Sequence, residues 1–203
     1  MTPFRIAAVA ALGFGLASPA AAKTEIQVGQ PAPEFTATDS NGRAVALTAY
    51  RGKTVVLEWT NHDCPYVRKH YGSGNMQALQ ADAAGQGVVW LTVISSKPGQ
   101  QGYVAGLEAN QLTDSRKAKP AAVLLDPDGR VGRLYGATAT PNMFVIRPDG
   151  VLAYMGAIDD RPSSNPADVT KATNYVRTAL VAVAAGQPAK PAVTRPYGCS
   201  VKY

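Results

Sequence analysis

Residues 88–94, Val88-Val89-Trp90-Leu91-Thr92-Val93-Ile94, carry a single polar side chain, a β-branched threonine. A strand this uniformly apolar has no face to give to water, so the fold must cover it on both sides. It reads as the central strand of a sheet that lies between two layers of helices. Thr54-Val55-Val56-Leu57-Glu58-Trp59 reads as a second buried strand.

The remaining elements arrange themselves around these two runs. Thr36-Ala37-Thr38-Asp39 and Val45-Ala46-Leu47 flank a turn at Ser40-Asn41-Gly42 and predict a short hairpin. A helix is expected from Pro65, with a kink or restart at Gly72-Ser73-Gly74, because each glycine costs about 1 kcal/mol in a helix interior. Met76, Leu79 and Ala83 then fall on its inner face, and Gly85 is the expected C-cap. A further helix is expected around 102–112, a strand over 121–125, a short helix over 130–136, and a strand pair at 143–146 and 151–155 about the Arg147-Pro148-Asp149-Gly150 turn. Asn165 and Pro166 open a last helix carrying Val169, Ala172, Val176, Leu180 and Val183 at helical spacing, ended by Gly186 and Pro188. Strands alternating with helices, closed by a hairpin, give an α/β chain with a mixed central sheet.

The chemistry concentrates at one strand-to-helix turn, Asn61-His62-Asp63-Cys64-Pro65-Tyr66-Val67-Arg68. Pro65 suits the first helical position, where its missing N–H costs nothing, and it biases Cys64 away from the helical region, onto the cap. Free N–H groups and the positive end of the helix dipole then face the sulfur. Such a placement lowers a thiol pKa below about 8.5 and raises its reactivity. His62 precedes the thiol by two and can support the thiolate or carry a proton. Asn61 can hydrogen-bond the loop, whereas the anion of Asp63 opposes thiolate formation. One other cysteine exists, Cys199, in a proline-containing tail at 187–203 that would fray unless tied down.

Bulk properties narrow the setting. Residues 1–22 have a basic start, an apolar run from Ile6 to Ala17 and the small residues Ala20-Ala21-Ala22, the pattern of a cleaved export signal. This predicts a periplasmic protein whose single domain spans 23–186, without a stable membrane anchor after cleavage. The net charge of +6 comes from scattered Lys and Arg with no basic run, so nucleic acid is not an expected partner. Two cysteines in an exported chain can form a structural staple, worth roughly 5 kcal/mol for so long a loop. Neither a cofactor nor a metal is required by this reading.

Three segments resemble the thioredoxin-fold redoxins, in the peroxiredoxin-like branch of the alkyl hydroperoxide reductase/thiol-specific antioxidant superfamily. They are Gly29-Gln30-Pro31-Ala32-Pro33-Glu34-Phe35 with Arg51-Gly52-Lys53, the strand followed by Asn61-His62-Asp63-Cys64-Pro65, and Ala139-Thr140-Pro141-Asn142-Met143-Phe144-Val145-Ile146. The ending Gly198-Cys199-Ser200-Val201-Lys202 is similar to the tail of some members. The resemblance implies a thioredoxin-like sheet with an N-terminal hairpin and an extended tail. It implies that Cys64 is the nucleophile toward a peroxide or a protein disulfide, that Cys199 resolves it as a Cys64–Cys199 disulfide, and that a thioredoxin-like thiol donor completes the cycle. Thr140 and Pro141 take the place of the cis-proline loop, whose free backbone edge would lie beside Cys64 to receive a substrate. The chain departs from both relatives of this kind: Val67 stands where a Cys-x-x-Cys pair has its second sulfur, and Asn61 where peroxidases carry Thr or Ser. A peroxide-binding arginine has no counterpart near Pro141, leaving Arg68 as the substitute.

Two other readings use the same residues. Cys64, His62 and His70 are ligand types for copper, although positions 64 and 70 lie about 600° apart around a helix. A redox-inactive binding module with a structural Cys64–Cys199 bond is the other.

Overall fold

The computed structural model describes Met1 and residues 26–203. The leader expected at 1–22 lies, apart from Met1, outside the described residues. Among those described, no helix is long and apolar enough to cross a membrane.

In chain order the elements are β1 (Thr36–Asp39), β2 (Ala44–Ala46), β3 (Val55–Trp59), α1 (Pro65–Gly72), α2 (Asn75–Gly85), β4 (Val89–Ile94), α3 (Gly106–Ser115), β5 (Ala122–Leu125), α4 (Arg130–Leu134), β6 (Ala139–Thr140), β7 (Asn142–Ile146), β8 (Leu152–Gly156), α5 (Tyr175–Ala184) and β9 (Cys199–Ser200). Seven strands form one mixed sheet in the order β2-β1-β5-β4-β3-β7-β8, and β6 pairs with β9 apart from it. β3, β4 and β5 are parallel, while β7 runs antiparallel to β3, with Trp59 opposite Asn142.

β3 and β4, formed by the two apolar runs, occupy the middle of the sheet and every residue in them is buried. Their side chains alternate between two cores, as strand geometry requires. Leu57, Trp59, Leu91 and Val93 pack with Phe35, Tyr135 and Phe144 on one face. Val56 and Trp90 pack with Cys64, Val67, Met76, Leu79, Met143 and Tyr154 on the other. The Cys64 turn therefore grows out of the buried middle of the sheet.

Glu58 is the one charged residue inside these strands, and it is fully buried. Tyr71 and Trp90 donate hydrogen bonds to its carboxylate, each 2.8 Å long, and Thr92 donates another at 3.3 Å. Burial raises its pKa in spite of these donors.

Local signals set most boundaries, with three corrections. The helix restart at 72–74 is real, with Gly74 in the left-handed region at φ 76° as the N-cap of α2. Gly85 is the last residue of α2 rather than its C-cap; Gly87, at φ 71°, makes the left-handed turn. The third helix begins at Gly106, not near 102, because Gly102 sits at φ 84° and cannot belong to a right-handed helix. The final helix divides in two. Asn165 caps a 3-10 segment, Pro166–Lys171, and Asn174 caps α5 by accepting from the Arg177 N–H at 2.9 Å.

Candidate active site

Cys64 is the N-cap of α1, with Pro65 at its first position, as the turn sequence requires. Asn61 locks the approach: its side-chain oxygen accepts from the Asp63 N–H at 2.9 Å, and its amide donates to the Gln101 carbonyl at 3.2 Å. The Cys64 N–H donates to the Asn61 carbonyl at 3.1 Å. The thiol is thus held on a loop tied down by the Asn61 side chain and backbone.

The sulfur meets two other segments of chain. Cys64 Sγ donates to the Thr140 carbonyl at 3.2 Å, and the Cys199 N–H donates to Cys64 Sγ at 3.4 Å. Thr140 precedes Pro141 through a cis peptide bond. β6 and β9 are antiparallel, with Thr140 opposite Cys199 and Ala139 opposite Ser200. The backbone edge beside Cys64, expected to be free, is occupied by the chain's own tail.

Both cysteines are free thiols, Cys64 buried and Cys199 half-buried. Cys64 has 0% relative exposure. Burial alone would raise its pKa, but the Cys199 thiol, the Val67 and Cys199 amides and Thr140 outweigh it and hold the pKa below the ordinary value. Cys199 moves the other way. Burial, the hydrogen bond with Cys64 and the Cys64 charge push it up to about 11, against a small lowering by Lys202. One sulfur is thus biased toward the thiolate, and its neighbour toward the thiol.

His62, expected to support the thiol, and Arg68, expected to substitute for a peroxide-binding arginine, both make their polar contacts with the loop. His62 Nε2 lies 3.4 Å from Asp63 Oδ2. Arg68 donates to the His62 carbonyl at 3.1 Å and to Asp63 at 2.8 Å, and its side chain is 64% exposed. Arg68 pairs with Asp63, whose charge would otherwise work against the thiolate. His70 lies within α1 and is fully buried. Among the described residues no group of three or more His, Cys, Asp and Glu is arranged to hold a metal ion.

The tail is held without a disulfide. It first runs beside β8, where the Met155 N–H donates to the Ala192 carbonyl and the Thr194 N–H to the Met155 carbonyl, each at 3.1 Å. Beyond the site, the Lys97 N–H donates to the Lys202 carbonyl at 2.9 Å, and the Tyr203 hydroxyl donates to the Ala137 carbonyl at 2.6 Å. Gly198 has φ 128°, and a Cβ there would lie 2.0 Å from the Thr140 carbonyl oxygen, so only glycine lets the tail approach this closely. Sequence reasoning missed three residues here, Tyr197, Lys69 and Asp159, and weighed His70 only as a metal ligand; together they anchor the segment before Cys199. The nearest signal was the presence of Lys69 and His70 on an otherwise core-facing helix.

Comparisons with known proteins agree with this architecture. A family model described as the AhpC/TSA family matches residues 28–155. The thiol-disulfide oxidoreductase ResA of Bacillus subtilis (strain 168) is 27% identical over 143 residues, covering 70% of this chain and 74% of that protein. The crystal structure of an uncharacterized conserved protein from Geobacillus kaustophilus superposes with a TM-score of 0.74 at 23% identity, over 89% of this chain and 94% of that one. The thioredoxin domain of a thiol-disulfide oxidoreductase from Bacteroides vulgatus gives 0.52 at 18% identity, over 72% and 98%. These two structural likenesses concern the fold alone.

Proposed function

The chain belongs to the AhpC/TSA family of thiol-dependent oxidoreductases, and from that premise we propose that it exchanges disulfides with exported proteins, Cys64 attacking and Cys199 resolving. The observation that carries this reading is the pair of sulfurs meeting at one strand pairing, one thiol with a depressed pKa and the other with a raised one. The Cys64 thiolate attacks one sulfur of a substrate disulfide, forming a mixed disulfide and expelling the other substrate sulfur as thiolate. Cys199 then loses its proton, attacks Cys64 Sγ and displaces the second substrate sulfur. Two electrons have passed to the substrate, and the protein holds a Cys64–Cys199 disulfide. A thioredoxin-like dithiol donor returns the two electrons.

The order of events follows from the electrostatics. Two of the influences that raise the Cys199 pKa are the hydrogen bond with Cys64 and the Cys64 charge. Both vanish once Cys64 is tied up in a mixed disulfide, so the resolving thiol becomes competent only after the first step. Protein disulfide is preferred to peroxide as substrate because β6 already accepts an extended backbone beside the sulfur, and Arg68 is committed elsewhere. The leader pattern at 1–22 supports a periplasmic setting, where such substrates are found.

Mass spectrometry of wild type, Cys64→Ser and Cys199→Ser after exposure to a protein disulfide tests the scheme. The expected result is a mixed disulfide trapped on Cys64 in Cys199→Ser, and an internal Cys64–Cys199 bond in wild type. Sulfenate on Cys64 with hydrogen peroxide, and no reaction with disulfides, would replace exchange by a peroxidase cycle. Two inert thiols would overturn both.

A further inference from the structure

Tyr197 stands two residues before Cys199 and enters a socket of buried polar groups. Its hydroxyl donates to Asp159 Oδ1 and faces His70 Nε2 at 3.2 Å and Lys69 Nζ at 3.5 Å. Asn75 Nδ2 lies 2.9 Å from His70 Nδ1. The Asn75 amide donates there, which leaves the His70 proton on Nε2, directed at the Tyr197 oxygen. The chain of bonds runs His70 to Tyr197 to Asp159. Lys69, His70 and Asp159 are all buried, and the Tyr197 ring meets Tyr66 edge-on at 5.8 Å between centroids.

These groups depend on the phenol to different degrees. Lys69 also donates to the Arg161 carbonyl at 2.7 Å, and Asp159 also accepts from the Arg161 N–H at 3.0 Å. His70 Nε2 has no other hydrogen-bond partner among the described residues. A socket emptied of its phenol leaves that buried donor and part of a buried carboxylate unpaired, a cost that a hydroxyl-bearing aromatic ring removes.

The same tail seals the thiol. With Cys64 at 0% exposure, no protein disulfide reaches Sγ until β9 leaves β6. Its departure draws Tyr197 from the socket as well, since one residue separates Tyr197 from Cys199. An incoming polypeptide therefore finds three vacated features in a fixed order: a phenol socket, a close passage past the Thr140 carbonyl, and a strand position opposite Thr140.

We infer that the Lys69–His70–Asp159 socket and the β6 edge form a recognition subsite for an extended polypeptide with a tyrosine two residues ahead of its reactive cysteine. Tyr197-Gly198-Cys199 is the chain's internal copy of that segment. The inference rests on the reading of Cys64 as the thiol that attacks protein disulfides. Strand addition at β6 supplies sequence-independent affinity, and the socket supplies the selectivity.

The test uses full-length Cys199→Ser protein, in which Cys64 is the only thiol. Its substrates are hexapeptides Pro-Xaa-Gly-Cys-Ser-Val whose cysteine forms a mixed disulfide with glutathione, where Xaa is Tyr, Phe or Ala. Capture of the peptide on Cys64 is followed by mass spectrometry across a range of peptide concentrations. The tyrosine peptide, captured with release of glutathione, is expected to be taken about tenfold more efficiently than the alanine peptide, with the difference in the concentration that half-saturates the capture rate and with phenylalanine between them. The series changes only the peptide, so folding of a variant is not in question. Equal capture of all three, with Cys64 still reacting with glutathione disulfide, overturns the subsite and leaves the exchange reading intact. Failure of Cys64 to react with any of these disulfides, glutathione disulfide included, overturns the exchange reading and the subsite with it.

Discussion

The two halves of the thiol pair are built in opposite ways. The Cys64 half is contiguous: residues 59–68 contain the strand end, the Asn61 lock, the cap, Pro65 and the first turn of α1. The Cys199 half is assembled from afar, through bonds spanning 127 residues between His70 and Tyr197 and 59 between Thr140 and Cys199. The first half is anchored in two apolar cores, and the second in hydrogen bonds at the surface of one of them. The contrast separates a thiol fixed by the core from one carried on a hydrogen-bonded tail, the arrangement that the proposed exchange requires.

The largest expected contrast lies in stability. Trp59 is fully buried, touches Tyr135 and Phe144, and donates to Ser95 Oγ at 3.0 Å. Trp59→Ala is expected to cost about 3–5 kcal/mol in urea unfolding. Tyr197→Ala removes a half-buried ring and the phenol partner of His70 and Asp159, and is expected to cost about 2 kcal/mol. Equal costs would make the tail part of the core and end the distinction.

A pH titration sharpens the comparison further. Burial lowers the His70 pKa to about 4, against the opposing charge of Asp159 and with a further lowering by Lys69. Between pH 6.5 and 4 the unfolded chain binds a proton at this residue that the folded chain refuses. Stability is therefore complete above about pH 6.5 and declines as the pH falls toward 4, by on the order of 3 kcal/mol. His70→Gln is expected to remove that part of the slope in unfolding measured across the range; an unchanged slope would assign it to other groups.

The smallest effect concerns the thiol itself. Cys199→Ala, which removes the side-chain donor, is expected to shift the midpoint of Cys64 alkylation by iodoacetamide to higher pH, because the Cys199 thiol favours the thiolate. A shift to lower pH would mean that the tail opposes ionisation instead.

The same divide governs what the sequence disclosed. β3, β4, the Cys64 cap and the restart at 72–74 depend on neighbours within a few residues, and the pattern of apolar runs, proline and glycine predicted each of them. The elements misplaced were those set by competition between local signals. Asn165-Pro166 is a genuine start, but Asn174 supplies a second one, and Asp159 bridges to Asn174 across the sheet's end. The Tyr197 socket was invisible because Lys69, His70, Asp159 and Tyr197 carry no mutual spacing until the chain has folded. Counting cysteines led to Cys199, and the resemblance to its role, whereas the groups that hold it in place were found only in three dimensions.

The sealed sulfur has a kinetic consequence. If the tail must lift before any large substrate touches Cys64, its opening rate caps the first step. Adding more substrate protein then brings the observed rate to a plateau set by the enzyme alone, while a small alkylating reagent in the same solution reports that opening directly.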